Sequence, residues 1–266
     1  MKNSKILIFL AGAALVLIKN KKGSAKKSNG SQTDNGETEA ACAPKDATEG
    51  KISGISYRQQ MIGGAKPEDN VPVIVYFHSR GSEPSVENAF PAVTVPARVI
   101  MPISPRQEDG KAIWFEGRAR DQDQDSLAAE MAVVGSDVAK FLDGLARCFP
   151  DPPFILTGHS QGGMLTLLMA TRRPEMIDAT VPLSAWLPVS LWPDVEPIMP
   201  PTLAIHGTTD ETVPFERSRD MYGALQGKGH PIQFAAVEEQ KGHGTGLLPW
   251  SDALTKAIEI SMEEVG

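Results

Sequence analysis

A serine framed by glycines is the first feature of this sequence that could carry chemistry. Gly158-His159-Ser160-Gln161-Gly162 follows a segment with the pattern of a strand and precedes one with the pattern of a helix. A tight turn between them would hold the Ser160 hydroxyl clear of the sheet, and the glycines would relieve the crowding there. The free N–H groups at the helix start would also favour negative charge beside Ser160. The segment therefore predicts Ser160 as a nucleophile.

A serine hydroxyl becomes a good nucleophile only when a base takes its proton, and that base needs an orienting carboxylate. The glycine-framed serine resembles the nucleophile turn of α/β-hydrolases, in which the acid and then the histidine follow the serine along the chain, each after a strand. Asp210 follows the apolar strand pattern of residues 202–207 and is the predicted acid, with Glu211 as the local rival. His243 follows the last predicted strand and is the predicted base. His230 is its main competitor, but it precedes that strand and so belongs to the opposite end of the sheet.

Attack on a carbonyl carbon creates an oxyanion, which two backbone N–H groups normally hold. The residue after the nucleophile, Gln161, is predicted to supply one of them. The loop after the strand at 71–77 is predicted to supply the second, and we choose the main-chain N–H of Arg80. Loop chemistry alone does not separate Arg80 from Ser79.

Apolar side chains follow two other predicted strands. Trp114 comes after the second strand, and Trp186 and Leu187 come after the strand at 179–185. An apolar wall beside Ser160 would favour binding of an acyl chain, by about 0.8 kcal/mol per buried methylene. The alternative is that these three residues are ordinary core residues.

These residues need a frame, and the chain from residue 51 alternates short apolar runs with amphipathic ones. The runs predict strands at 71–77, 97–101, 153–158, 179–185, 202–207 and 232–237, and helices at 126–146, 160–171, 216–225 and 251–263. Such alternation is typical of an α/β fold whose mostly parallel central sheet is covered by helices on both faces. We therefore expect one catalytic domain over residues 51–266.

The first fifty residues have a different character. The apolar run at 6–18 follows two lysines and has about the length of a signal-peptide core, which is shorter than a membrane span. No conventional cleavage site follows it, so residues 1–18 are interpreted either as an export signal or as a short uncleaved anchor, with topology left open. Residues 19–50 are polar and are predicted to be a flexible linker that can be removed without loss of activity. We therefore expect an exported or membrane-anchored protein, tethered through its N-terminus.

Composition excludes several other kinds of protein. The formal net charge of -7 argues against a nucleic-acid partner, because such binding requires lysine and arginine to neutralise phosphates. Two cysteines, Cys42 and Cys148, make neither a disulfide framework nor a metal site. Cys148 is expected to be a buried spectator; a bridge to Cys42 is the alternative, which depends on geometry that a sequence does not contain. No metal or cofactor is expected.

Taken together, the motifs resemble the phospholipase/carboxylesterase family, which includes bacterial carboxylesterases and acyl-protein thioesterases. The resemblance rests on Gly158–Gly163, Leu183–Pro188, His206–Gly207 with Asp210 and Val213–Pro214, Gly242–His243, and Trp114–Phe115. It implies an α/β-hydrolase fold without a large lid, and hydrolysis of carboxylic esters or thioesters through an acyl-enzyme, with an acyl ester of small-molecule or lipid-like type as the substrate. One departure is clear: family members usually carry His-Gly-x-Gly in the oxyanion loop, whereas this chain has His78-Ser79-Arg80-Gly81.

Two other functions are compatible with these features. A secreted depolymerase, a feruloyl-esterase-like enzyme or a peptidase could use the same fold and residues, because a fold alone does not select a substrate. An inactive α/β-hydrolase that serves as a binding module is less compatible, since its triad would be expected to be broken.

Overall fold

In the computed structural model, four α-helices and eleven β-strands are found among the residues that the structure describes (7–8, 42–86, 90, 92–120, 123–238, 242–244 and 247–263). The strands are β1 (Leu7–Ile8), β2 (Glu49–Ile52), β3 (Ile55–Ile62), β4 (Val73–Phe77), β5 (Ala97–Ile103), β6 (Gln107–Glu108), β7 (Lys111–Ala112), β8 (Phe154–His159), β9 (Ala179–Leu183), β10 (Thr202–Gly207) and β11 (Ile232–Val237). The helices are α1 (Gln124–Cys148), α2 (Gln161–Arg172), α3 (Phe215–Gly227) and α4 (Leu247–Glu263).

The main sheet has nine strands in the order β1-β11-β10-β9-β8-β4-β5-β3-β2. The six strands from β11 to β5 run parallel to one another, while β3 pairs antiparallel with both β5 and β2 at one edge. Parallel neighbours place their carboxyl ends at the same edge of the sheet, where ligands bind in open α/β sheets. The predicted mostly parallel α/β fold is confirmed, and no large lid is present among the described residues.

Both faces of the sheet are covered because alternate side chains of its apolar strands point to opposite sides. Along β4, for example, Val73 and Val75 belong to one core cluster, while Ile74 and Tyr76 belong to another. The first cluster also contains the apolar residues of α1, α2 and α3, and the second contains those of α4. This sandwich makes the sheet a rigid support for the loops at its carboxyl edge.

The domain begins before Lys51, so the predicted linker is wrong over residues 42–50. Cys42 forms a disulfide with Cys148 at the end of α1, with a Cα–Cα distance of 5.5 Å. The carbonyl oxygen of Lys45 accepts hydrogen bonds from Gln59 Nε2 (3.1 Å) and from Arg98 Nη1 (2.9 Å). Backbone carbonyls that bind buried polar side chains, one covalent bond and the packing of Ala43 against the core hold this mostly polar segment in place. The expectation that Cys148 is a spectator is wrong for the same reason.

The apolar run at 6–18 is described only at Leu7–Ile8, whose backbone pairs antiparallel with β11. The rest of the predicted signal or anchor, and the linker up to residue 41, lie outside the described residues and stay predictions. No helix in the described part of the chain combines the length and the apolar character needed to cross a membrane.

Candidate active site

Ser160 stands at the tip of the turn between β8 and α2, with φ 58° and ψ -121°. A positive φ is unfavourable for a residue that carries a Cβ, so the surrounding structure must enforce it. A Cβ on Gly158 would lie 2.4 Å from the carbonyl carbon of Gly162, and one on Gly162 would lie 2.0 Å from the oxygen of Phe77. Only glycine fits at both positions. The predicted strand–turn–helix arrangement is therefore present around Ser160.

Asp210 lies in the loop after β10 and is only 3% exposed. Its Oδ2 atom is 2.7 Å from His243 Nδ1, and its Oδ1 atom accepts hydrogen bonds from the N–H groups of Thr212 and Val213, at 2.9 Å each. These backbone bonds fix the carboxylate, so that one oxygen points to the imidazole. The rival residue, Glu211, is exposed to solvent.

A second histidine that sequence reasoning had not assigned to the site also contacts the acid. His206 Nε2 lies 2.9 Å from the carbonyl oxygen of Val213 and 3.3 Å from Asp210 Oδ2. Both oxygens only accept hydrogen bonds, so this nitrogen carries the proton. The sequence signal was a histidine near the end of the strand, four residues before the acid, which was named only as part of the family resemblance.

These contacts determine the charge of Asp210. Burial by itself raises the pKa of Asp210, but hydrogen bonds from His206, His243 and the Val213 N–H outweigh it and hold the pKa well below the usual range. Asp210 is therefore a carboxylate at any pH at which a histidine can act as a base.

His243 is positioned by contacts on two sides. Because Nδ1 bonds to a carboxylate, Nδ1 carries the proton of the neutral ring and Nε2 presents its lone pair. The ring centroid lies 4.5 Å from that of His159, the residue directly before Ser160. The structure thus brings the predicted base and acid together next to the predicted nucleophile.

His230, the competing base, is engaged elsewhere. Its Nε2 atom donates to the carbonyl oxygen of Asp194 (2.8 Å), and its Nδ1 atom accepts from the N–H of Met199 (3.3 Å). It precedes β11, at the amino end of the strands. Both ring nitrogens therefore serve the backbone at the edge opposite Ser160.

The two predicted oxyanion donors lie on well-anchored segments. Gln161 is the first residue of α2, and its buried side chain accepts from the N–H of Trp114 (3.0 Å) and donates to the carbonyl of Phe115 (2.6 Å). The Arg80 guanidinium pairs with Glu108 and donates to the carbonyl of Phe115 (3.1 Å). The role of the two main-chain N–H groups in binding an oxyanion stays a prediction.

A cavity of about 290 Å³ lies beside the oxyanion loop. It is lined by Arg80 and Gly81 of that loop and, around the β6–β7 hairpin, by Glu108, Asp109, Lys111 and Ile113. The hairpin is fixed to the loop, because the N–H of Gly81 donates to the carbonyl of Ala112 (2.8 Å). The walls of this cavity are mostly charged.

The predicted acyl wall is not an open surface. Trp114, Trp186 and Leu187 are 1%, 2% and 0% exposed and belong to the large core cluster. Trp114 donates its indole N–H to the carbonyl of His78 (3.0 Å), and the Arg217 guanidinium lies over the ring of Trp186 (4.8 Å). These residues were chosen because they follow strands whose ends lie at the site. Their side chains, however, pack into the core and do not form an exposed wall.

Comparison with known proteins supports the sequence-based resemblance. A family model described as Phospholipase/Carboxylesterase matches residues 62–245. A monoglyceride lipase of Mus musculus is 29% identical over 68 residues, which are 26% of this chain and 22% of that one, so the chain spans about a fifth of this curated relative.

Solved structures agree on the fold. Esterase PE8 is 22% identical, with a TM-score of 0.64, over 77% of this chain and 99% of that one. Acyl-protein thioesterase 2 of Zea mays is 20% identical, with a TM-score of 0.58, over 79% of this chain and 99% of that one. Since the family model covers most of the chain, including the glycine-framed serine, Asp210 and His243, this protein belongs to the phospholipase/carboxylesterase family of α/β-hydrolases.

Proposed function

We propose that this protein is a serine hydrolase that cleaves carboxylic esters or thioesters through an acyl-enzyme. Ser160 is the nucleophile, His243 the base and Asp210 the orienting acid. The observation that carries the proposal is the 2.7 Å contact between Asp210 Oδ2 and His243 Nδ1, beside the turn that presents Ser160. Membership of the phospholipase/carboxylesterase family supports the same chemistry.

The reaction follows from the tautomer of His243. Its Nε2 atom takes the Ser160 proton as Oγ attacks the carbonyl carbon of the substrate, and the anionic Asp210 stabilises the imidazolium that forms. The N–H groups of Gln161 and Arg80 receive the oxyanion. The imidazolium then gives its proton to the leaving alcohol or thiol, which leaves an acyl group on Ser160. A water molecule, deprotonated by the same base, releases the carboxylic acid and restores Ser160.

A non-catalytic binding module is the less favoured alternative. A left-handed backbone at a serine costs about 1–3 kcal/mol, and such strain is found where function requires it. Ser160 has this conformation, and it stands next to a carboxylate–histidine pair. A peptidase, a depolymerase or a feruloyl-esterase-like enzyme would use the same site, so substrate assays are needed to separate these activities.

A panel of p-nitrophenyl esters and acyl thioesters, from acetyl to palmitoyl, tests the proposal. We expect kcat/KM to level or fall toward palmitoyl, since the residues predicted as an acyl wall are buried in the core and a mouth without a large lid buries few methylenes. A fluorophosphonate probe should label the wild type at Ser160. Absence of both labelling and turnover would overturn the hydrolase proposal, whereas a series without dependence on chain length would overturn only the acyl-chain preference.

We further propose that the protein acts in an oxidising compartment, outside the cytoplasm or at a membrane surface. Disulfides persist in compartments where thiols are not kept reduced. The bridge between Cys42 and Cys148 therefore supports an oxidising compartment. The short apolar run after the N-terminal lysines supports export or anchoring.

Two truncations test this proposal together with the domain boundary. Removal of residues 1–41 is expected to leave a stable, active, disulfide-linked domain that producing cells no longer export or hold at the membrane. Removal of residues 1–50 deletes Cys42 and half of β2, and is expected to cost about 2–4 kcal/mol, or on the order of 10 °C in Tm. Thermal melts and cell fractionation give the readouts. Export of the shorter truncation would contradict the proposed role of the apolar run, and equal Tm values for the two truncations would contradict the boundary.

A further inference from the structure

The departure from the family pattern in the oxyanion loop, Ser79, makes a specific contact. Its Oγ atom lies 3.1 Å from the carbonyl oxygen of His159 and 2.9 Å from Nδ1 of the same residue. The glycine usual at this position of the family has no side chain and could make neither contact. A hydroxyl therefore connects the loop that is proposed to bind the oxyanion with the turn that presents the nucleophile.

The two contacts assign the tautomer of His159. A carbonyl oxygen only accepts, so the single proton of the Ser79 hydroxyl goes to it, and His159 Nδ1 must donate to the Ser79 oxygen. His159 Nε2 is then a bare acceptor, and this buried atom has no hydrogen-bond partner within the part of the chain that the structure describes.

His159 also contacts the base. Its ring lies 4.5 Å from the His243 ring between centroids, with an angle of 39° between the planes. Burial, assisted by the nearby His243, lowers the pKa of His159 to about 3. A neutral ring can lie against an imidazolium, whereas a charged one would repel it. His159 thus has one end on the oxyanion loop and one face on His243.

We infer that Ser79 and His159 act together as positioning residues that couple the oxyanion loop to the base, so that both halves of the site keep a fixed distance. The inference rests on the proposed function, because it assigns the two residues to the geometry of that reaction. Neither residue exchanges a proton with the substrate. They act by aligning His243 and the Arg80 N–H. This alignment matters most in the transition state, when the proton moves and the oxyanion forms.

Four substitutions separate the two ends of this connection. Ser79→Ala removes the hydroxyl. His159→Phe keeps a ring against His243 but loses the side-chain contact with Ser79, while His159→Asn keeps a side-chain N–H for Ser79 but loses the ring. Ser261→Ala is the control, because Ser261 likewise donates to a backbone carbonyl (Ile258, 2.8 Å), but is fully buried and lies in α4.

Steady-state kinetics on p-nitrophenyl butyrate give the first readout. We expect Ser79→Ala and both His159 variants to lower kcat about five- to tenfold with KM changed less than about twofold, as for the loss of one hydrogen bond or ring contact felt in the transition state. Adding Ser79→Ala to His159→Phe should cause a smaller loss than Ser79→Ala causes in the wild type, because the contact with Nδ1 is already gone and only the bond to the carbonyl of residue 159 remains. Ser261→Ala should lower Tm and leave kcat unchanged. Independent, multiplying effects in the His159→Phe background, or an unchanged kcat in Ser79→Ala, would overturn the inference.

Imidazole nitrogen NMR gives a second readout that needs no turnover and therefore survives a failure of the proposed function. His159 should be neutral and protonated on Nδ1 at pH 5 to 7, and Ser79→Ala should shift the His243 ring resonances while Ser261→Ala should not. A charged His159 in this range, an Nε2-protonated ring, or His243 resonances indifferent to Ser79→Ala would each overturn the coupling. Failure of the hydrolase proposal would instead appear as a wild type without labelling or turnover but with these resonances as expected.

Discussion

Ser160→Ala is expected to lower kcat/KM for ester hydrolysis by about 10³- to 10⁶-fold, because the reaction loses the atom that forms the acyl-enzyme. The variant should fold normally, since alanine and serine each carry one Cβ and bear the same cost of the positive φ. The hydroxyl that is removed is also small. Initial rates on the best ester of the panel, with circular dichroism and Tm as checks of folding, make the measurement.

The control for this variant is Ser261→Ala, which removes a buried hydroxyl far along the chain and should keep wild-type turnover and wild-type fluorophosphonate labelling. Labelling should disappear in Ser160→Ala alone. If Ser160→Ala retained a tenth of the wild-type turnover, Ser160 would not be the nucleophile.

His243→Ala should reduce kcat/KM by about 10³-fold or more, while His230→Ala should leave kcat within about twofold of the wild type. The two histidines are a matched pair: both flank β11, but only His243 contacts Asp210, and His230 binds the backbone of Asp194 and Met199. His230→Ala should instead lower Tm, because two backbone groups lose their partner. The reverse pattern of activity would move the base to His230.

The same assignment excludes Asp210 and His159 as the source of acid inactivation near neutral pH. The pKa of Asp210 is held well below its usual range, and that of His159 lies at about 3. A carboxyl with a depressed pKa stays charged until the pH falls through that folded value, so Asp210 keeps its orienting role throughout the working range. Neither Asp210 nor His159 should therefore change its charge between pH 8 and 5, and substitution of His159 by Phe should leave the shape of the kcat/KM profile over this range unchanged.

Most of the site could be predicted because its residues follow strands that are recognisable in the sequence. The strands before Ser160, Asp210 and His243 are apolar runs of about six residues, and parallel strands end at one edge, so order along the chain becomes proximity in space. Position along the chain alone ranked Glu211 below Asp210 and His230 below His243. In the structure Glu211 is exposed to solvent, and His230 bonds to the backbone.

Other features depend on contacts that a single sequence does not display. The β2–β3 hairpin escaped prediction because Gln59 occupies an inward position of β3, where its amide is satisfied by the carbonyls of Lys45 and Ala47 and by the side chain of Arg98. The disulfide between Cys42 and Cys148 could not be predicted, because it depends on the distance between two residues that are 106 positions apart in the sequence. Trp186 does follow a strand that ends near the site, as predicted. The direction of its ring, however, is determined by packing against residues that are distant in sequence.

The disulfide also has a mechanical consequence. It joins Cys42 directly to Cys148, so tension applied between the two ends of the chain passes through one sulfur–sulfur bond and bypasses everything between them. The bypassed stretch contains the oxyanion loop, whereas Ser160, Asp210 and His243 all lie on the loaded side. With a separation of 106 residues and about 3.5 Å per extended residue, an oxidised chain stretches to a contour about 370 Å shorter than a reduced one. A domain pulled by an N-terminal tether would thus unravel its triad while its oxyanion loop remained inside a closed covalent ring.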